Sequence, residues 1–231
     1  MSKYLITPSL INSFSYYLKD EWKSPADSRA DFLKTLSREK FEPNEAMQKG
    51  IDFEYLVEKT CDWEVVNWVN LLSMKRQKLK SLNISNSNEA SEFYTKNVQY
   101  FSCIKEIGKK VRNGIWQEKV KKDLTIGDHN FILYGRTDVI KCDTIYDIKF
   151  TKSYDTGKFL DSIQHLIYLY CSDLPNFSYL ISDGKNWWKE DYFNHSGVEG
   201  EIKSKISQFL DYLQGDKEAS DMFYLKWESK Y

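Results

Sequence analysis

The chain has no two cysteines close together. Cys61, Cys103, Cys142 and Cys171 are too widely spaced for a CxxC, so there is no zinc or iron–sulfur signature, and reduced thiols are the simplest reading. Proline is scarce at 4 and glycine at 10 in 231 residues, which excludes collagen-like and loop-dominated chains. Neither charge sign dominates. Lys+Arg is 33 against Asp+Glu 34, a formal net charge of −1, so no global basic field announces a nucleic-acid partner. Positive potential for phosphate must come from local patches or from bound metal. No run of about 18 apolar residues is present, so no membrane helix is expected. The opening MSKYLITPSLINSF lacks the apolar stretch of a secretory signal, and a cytoplasmic location is the expectation.

What is abundant is aromatic. Hydrophobic residues make up 41% of the chain, with 7 Trp, 16 Tyr and 13 Phe, enough to bury a sizeable core. The first half reads as helical. Thr7-Pro8 is a helix start followed by Leu10, Ile11, Phe14, Tyr17 and Leu18 at helical spacing. Further helices are predicted over 27–39, after Pro43 (with Met47, Ile51, Tyr55 and Leu56 inward), over 63–82 and over 89–112. Residues 115–124, 130–141 and 144–151 read as an antiparallel meander turning at Gly127-Asp128 and 141–144. A helix is predicted over 155–172, strands over 177–181 and 187–193 joined by Ser182-Asp183-Gly184, a helix over 197–214, and then a tail. The predicted class is α/β, in three stretches of one integrated domain: a helical region 1–114, an α/β core 115–214 and a C-terminal tail 215–231. The helix after 151 is expected to cross over right-handedly to the next strand.

The chemistry concentrates in Tyr134-Gly135-Arg136-Thr137-Asp138-Val139-Ile140 and Thr144-Ile145-Tyr146-Asp147-Ile148-Lys149-Phe150. Alternate strand residues share a face, so Asp147 and Lys149 point together and Asp138 can be brought alongside from the preceding strand. Such charges among apolar strand residues are unfavourable unless paired. Two oxygen-donor acids beside a lysine suit Mg²⁺-assisted phosphodiester hydrolysis; a structural ion pair is the competing reading. An acid-x-Lys triplet alone carries little weight. The chain also contains Glu21-Trp22-Lys23, Asp183-Gly184-Lys185, Glu201-Ile202-Lys203 and Glu228-Ser229-Lys230.

Further pieces lie in order around it: Ser9-Leu10-Ile11-Asn12-Ser13-Phe14, Gly50-x-x-Phe53-Glu54, Gly135-Arg136-Thr137-Asp138, Asp147-Ile148-Lys149 and Gln164-x-x-x-Tyr168, from residue 9 to residue 168. Together they resemble the PD-(D/E)xK nuclease superfamily, in particular its RecB-like and phage-type exonuclease branch. The resemblance implies a restriction-endonuclease-like core, a mixed β-sheet flanked by helices, with a helical N-terminal region. It implies Mg²⁺ or Mn²⁺ bound by Asp138, Asp147, the backbone carbonyl of Ile148 and an upstream helical residue, here Glu54 where many relatives carry histidine. It implies a catalytic Lys149, with Gln164 and Tyr168 lining the DNA path. Some relatives hold an iron–sulfur cluster on C-terminal cysteines; the tail after Cys171 has none, so no cluster is expected.

The expected activity is that of a metal-dependent deoxyribonuclease, an exonuclease or single-strand-acting enzyme of phage or bacterial DNA processing or recombination. Its partners would be DNA (single strands or duplex ends) and a recombination protein. A catalytically inactive nuclease fold that binds nucleic acid or a partner protein is the alternative. A small-molecule enzyme would show a closed apolar pocket. Each residue also has a plainer role available. Glu54 could pair on its helix with Lys49, leaving Glu118 as a backup ligand; Arg136 could support the carboxylates; Tyr168 could be core; His129, His165 and His195 fall in no pattern. The clusters 75–80, 105–112 and 119–122 read as solvated faces or phosphate contacts. Exposed aromatics could stack bases, and one ring of Trp187-Trp188 is expected to face inward.

Overall fold

A computed structural model describes residues 2–19, 23–40, 42–61 and 97–229. Its order is β1 (Lys3–Ile6), α1 (Pro8–Lys19), α2 (Pro25–Leu36), α3 (Glu45–Thr60) and α4 (Phe101–Val111). There follow β2 (Ile115–Trp116), β3 (Lys119–Ile126), β4 (His129–Arg136), β5 (Val139–Lys141), β6 (Thr144–Phe150) and α5 (Gln164–Ser172). The chain continues through β7 (Asn176–Ser182), β8 (Trp187–Phe193), α6 (Val198–Gly215) and α7 (Lys217–Lys226). The predicted helix over 63–82 and the 89–96 part of the next lie outside the described residues.

The architecture is α/β, with two sheets among the described residues. One runs β1-β4-β3, the other β2-β5-β6-β7-β8. β1 joins β4 in parallel, β6 joins β7 in parallel, and the remaining pairs are antiparallel. β6–α5–β7 is therefore a parallel crossover, the arrangement that buries a sheet on both faces. On one side of the larger sheet, Ile145, Phe177, Tyr179 and Ile181 pack with α1, α2, α5, α6 and α7 residues such as Phe14, Phe32, Ile167, Phe209 and Phe223. On the other side, Ile148 and Leu180 pack with Phe53, Val57, Ile104 and Ile107 of α3 and α4.

Four expectations are corrected. The predicted meander is broken. Residues 115–126 and 129–141 each divide at the same level, where Gln117 takes a left-handed φ of 58° and the Gln117 N–H donates to the Asp138 carbonyl at 3.0 Å. Opposite it, the Thr137 N–H donates to the Glu118 carbonyl at 2.9 Å. Beyond that level the two strands belong to different sheets. Second, α5 starts at Gln164 rather than near 155, because Gly157 at φ 84° and the turns Lys158 N–H to Asp155 O and Leu160 N–H to Gly157 O interrupt the helix. Third, the tail folds as α7, capped by Asp216, whose side chain accepts the Ala219 N–H. Its Trp227 carbonyl accepts the Leu5 N–H of β1, a strand that the helical reading of the N-terminus passed over. Fourth, Leu18, Met47 and Ile51 are exposed; Leu56 is buried as expected, and α3 buries Phe53, Val57 and Thr60 beside it. The two tryptophans of β8 are both half-buried, Trp187 against the α3–α4 side and Trp188 against Tyr154 on the other.

Candidate active site

The break between β4 and β5 leaves Asp138 in a bend where its carboxyl can reach β6. Asp138 Oδ2 accepts the Ile148 N–H at 2.7 Å. Asp147 stands on the neighbouring position of β6, on the face shared with Ile145 and Lys149. It is 1% exposed. Its Oδ1 accepts Gln164 Nε2 at 2.6 Å. Lys149 Nζ forms an ion pair with Asp147 Oδ2 at 2.6 Å, and among the described residues that buried oxygen has no further hydrogen-bond partner. The lysine also sits 5.8 Å above the Tyr179 ring, close enough for a cation–π contribution. Its side chain remains 31% exposed, so the group opens to solvent on the lysine's side.

Glu54 comes from α3, on the opposite side of the sheet. Its Oε1 accepts Gln117 Nε2 at 2.9 Å. The left-handed turn at Gln117 is what delivers that amide, and nothing in the sequence pattern marked it. Glu118, the alternative ligand, is exposed and contributes its backbone carbonyl to Thr137.

The charges feel one another. Loss of solvation pushes the Asp138 carboxyl well above the usual range, and the neighbouring Asp147 and Glu54 charges push it further; Lys149 and the Ile148 N–H act against them. Glu54 is raised by burial and by Asp147, offset in part by Lys149 and Gln117. Burial alone would lower Lys149, but Asp147 and Asp138 outweigh it and hold it at about 12. Asp138, Asp147, Glu54 and Lys149 thus form one electrostatic unit built from β6, a bend and a distant helix. Even so, among the described residues no three His, Cys, Asp or Glu side chains stand close enough together to hold a metal ion as they are placed.

Tyr168 is buried, and its hydroxyl donates to the Arg136 carbonyl at 2.8 Å. That bond ties α5 to the end of β4, next to the strand break. The tyrosine ring fills the space a side chain at Gly135 would occupy: a Cβ there would lie 2.1 Å from Tyr168 Cε1. Arg136 is exposed. His165 is buried, stacked at 3.8 Å on Tyr192, and its Nδ1 has no hydrogen-bond partner among the described residues. Lys122 bonds the Tyr170 carbonyl and Asp173, whereas Lys119 and Lys121 are exposed. A groove of about 530 Å³ between α1, α2 and the start of α3 is lined by Tyr16, Tyr17, Phe32 and Met47 among others, and includes none of the four charged residues.

No family model matches the sequence, and no curated protein does. Among solved structures, the chain is similar to the crystal structure of SSO0001, at 11% identity and a TM-score of 0.37, over 70% of this chain and 86% of that one. It is also similar to Rai1 of Scheffersomyces stipitis, at 14% identity and a TM-score of 0.25, over 88% of this chain and 71% of that one. A second Rai1 structure, in complex with (3'-NADP)+ and calcium ion, matches at 13% identity and a TM-score of 0.25, over 90% of this chain and 74% of that one. Likenesses at these TM-scores establish neither the fold nor the activity of this chain.

Proposed function

We propose that this chain is a metal-dependent deoxyribonuclease with a restriction-endonuclease-like core, related to the RecB-like branch of the PD-(D/E)xK superfamily. The observation that carries the reading is the convergence of Asp138, in the bend before β5, with Asp147 and Lys149 of β6, and Glu54 coupled to them from α3. The donor chemistry fits a hard cation. Every donor is oxygen, the Asp147 and Glu54 charges raise the proton affinity of Asp138, and the buried Asp147 Oδ2 has, among the described residues, no hydrogen-bond partner besides its ion pair with Lys149. Glu54, Asp138, Asp147 and the Ile148 carbonyl would hold Mg²⁺ or Mn²⁺, which when bound supplies the Lewis acidity and positive charge that phosphodiester hydrolysis needs at neutral pH.

The protein groups have separable tasks. The Ile148 N–H fixes the Asp138 carboxyl, and Gln164 fixes Asp147 Oδ1, so neither acid rotates freely. Lys149, held at about 12, is charged at neutral pH. It therefore acts as a donor to water or to a phosphate oxygen, stabilising negative charge in the transition state, rather than as a base. The substrates we favour are single strands and duplex ends, in DNA processing or recombination inside a cell.

The test uses purified protein with end-labelled single-stranded and duplex DNA in Mg²⁺, Mn²⁺ or EDTA. Cleavage should require the ion and disappear in Lys149→Ala. One observation favours a second reading, a nuclease fold that binds nucleic acid or a partner without cutting: Asp147 is already engaged by Lys149 and Gln164. DNA binding with no cleavage in either ion would select it.

A further inference from the structure

Helix α5 begins behind an isoleucine, whose side chain cannot cap it. Its N-cap position, Ile163, makes no side-chain cap hydrogen bond. The first N–H groups of a helix need acceptors from outside the helix. Here they come from α1 and from Ser162. Asn12 Oδ1 accepts the Ile163 N–H at 3.1 Å, Ser162 Oγ accepts the Gln164 N–H at 3.2 Å, and Asn12 Nδ2 donates to that same Ser162 Oγ at 3.0 Å. The amide of Asn12 thus caps a helix 151 residues further along the chain. The next link is Gln164 itself, the first residue of α5, whose side chain reaches Asp147 Oδ1 at 2.6 Å. A first-turn side chain takes its direction from where the helix begins, so the Asn12 cap sets the aim of Gln164.

We infer that Asn12 is a positioning residue for the Asp147 site, acting through Ser162 and Gln164 without touching the reacting groups. This rests on the nuclease reading for its effect on catalysis, but not for its effect on Gln164. Asn12 is half-buried, and α1 is fastened to the same segment a second time by the Lys19–Asp161 ion pair at 2.6 Å. Loss of the Asn12 amide alone should therefore leave the helices in place while releasing the start of α5.

The experiment compares wild type, Asn12→Ala, Asn12→Asp, Gln164→Ala and the double variant Asn12→Ala/Gln164→Ala. Steady-state cleavage of a labelled oligonucleotide in Mn²⁺ is read alongside the side-chain amide resonance of Gln164, identified by its loss in Gln164→Ala. Asn12→Ala should lower kcat about 10- to 100-fold with KM little changed. Asn12→Asp keeps an acceptor for the Ile163 N–H and should recover most of that loss. In the Gln164→Ala background the Asn12 substitution should add nothing, since both act through one contact. The Gln164 amide resonance should shift in Asn12→Ala and return in Asn12→Asp. Losses that multiply in the double variant, or an unmoved Gln164 resonance, would overturn the inference. Should wild type fail to cleave, the nuclease reading falls, while the resonance still decides the role of Asn12.

Discussion

Asp138 and Ile148 are joined by a single hydrogen bond, carboxyl Oδ2 to backbone N–H at 2.7 Å, although one lies in the bend after β4 and the other in β6. That bond ties a strand break to the strand that carries Asp147 and Lys149, and it places a carboxylate where two others already raise its proton affinity. Asp138→Asn keeps an acceptor and removes a repelled charge, so in EDTA the variant should be as stable as wild type or about 1 kcal/mol more so. Asp138→Ala leaves the Ile148 N–H unsatisfied and should cost about 1–3 kcal/mol. Urea unfolding at neutral pH checks both; an Asn variant weaker than the Ala variant would contradict the bond's role.

Asp147 and Lys149 should behave as one unit in a double-mutant cycle. Asp147 is buried at 1% exposure, so Lys149→Met strands its charge, while Asp147→Asn leaves a less buried lysine. The double variant should be more stable than the sum of the singles predicts by about 1–3 kcal/mol. Additive losses in denaturant melts would mean that the pair contributes little.

Divalent ions should raise the melting temperature, because a cation relieves the repulsion among Glu54, Asp138 and Asp147. At a hundredfold excess over the dissociation constant the gain is about 2.7 kcal/mol. The shift should shrink in Glu54→Gln and vanish in Asp138→Asn. An unchanged Tm in millimolar Mg²⁺ and Mn²⁺ would remove the metal from the proposal.

His165 should make the fold acid-sensitive. Burial, with a smaller push from Lys205, lowers it to about 4, so it stays neutral in the folded chain while the unfolded chain protonates it near 6.5. Between those values the unfolded state binds more protons, and stability drops as pH falls from 6.5 toward 4, by about 3 kcal/mol if the group stays buried. His165→Phe should flatten that part of the curve. Chemical denaturation at pH 4, 5, 6 and 7 reads it directly, and equal slopes in the two proteins would exclude His165 as the cause.

Gly135 and Tyr168 should be coupled by shape. A methyl at Gly135 would meet Tyr168 Cε1 at 2.1 Å, so Gly135→Ala must displace the ring and its bond to the Arg136 carbonyl, at about 1–3 kcal/mol. The same substitution in Tyr168→Leu should cost far less. Thermal melts of the four proteins provide the check; an equal penalty in both backgrounds would place the strain elsewhere.

Much of the local order was legible from the chain alone. Hydrophobic alternation placed β6, β7 and β8 within a residue or two, and Gly184 at φ 91° closes the β7–β8 hairpin where the turn residues indicated. The pairing of Asp147 with Lys149 followed from a period of two. What eluded that reading depended on partners far away. β1 is four residues long and exists because β4 accepts it in parallel; Met47 and Ile51 satisfy a helical period yet face solvent, because α4 and β6 cover the Phe53–Val57 side of α3. The break at Gln117 and Asp138 has no local signature either, since two sheets meet there.

The sequence by itself determined the element types, the shared face of Asp147 and Lys149, and the inventory of oxygen donors, since these depend on backbone period and residue chemistry over a few positions. Only the tertiary structure decided that Glu54 is held by the Gln117 amide, that Tyr168 is buried next to the bend, and that Asn12 caps the helix bearing Gln164. Each of these rests on hydrogen bonds or packing between residues dozens to well over a hundred positions apart, and no short-range pattern encodes which distant group will be the partner.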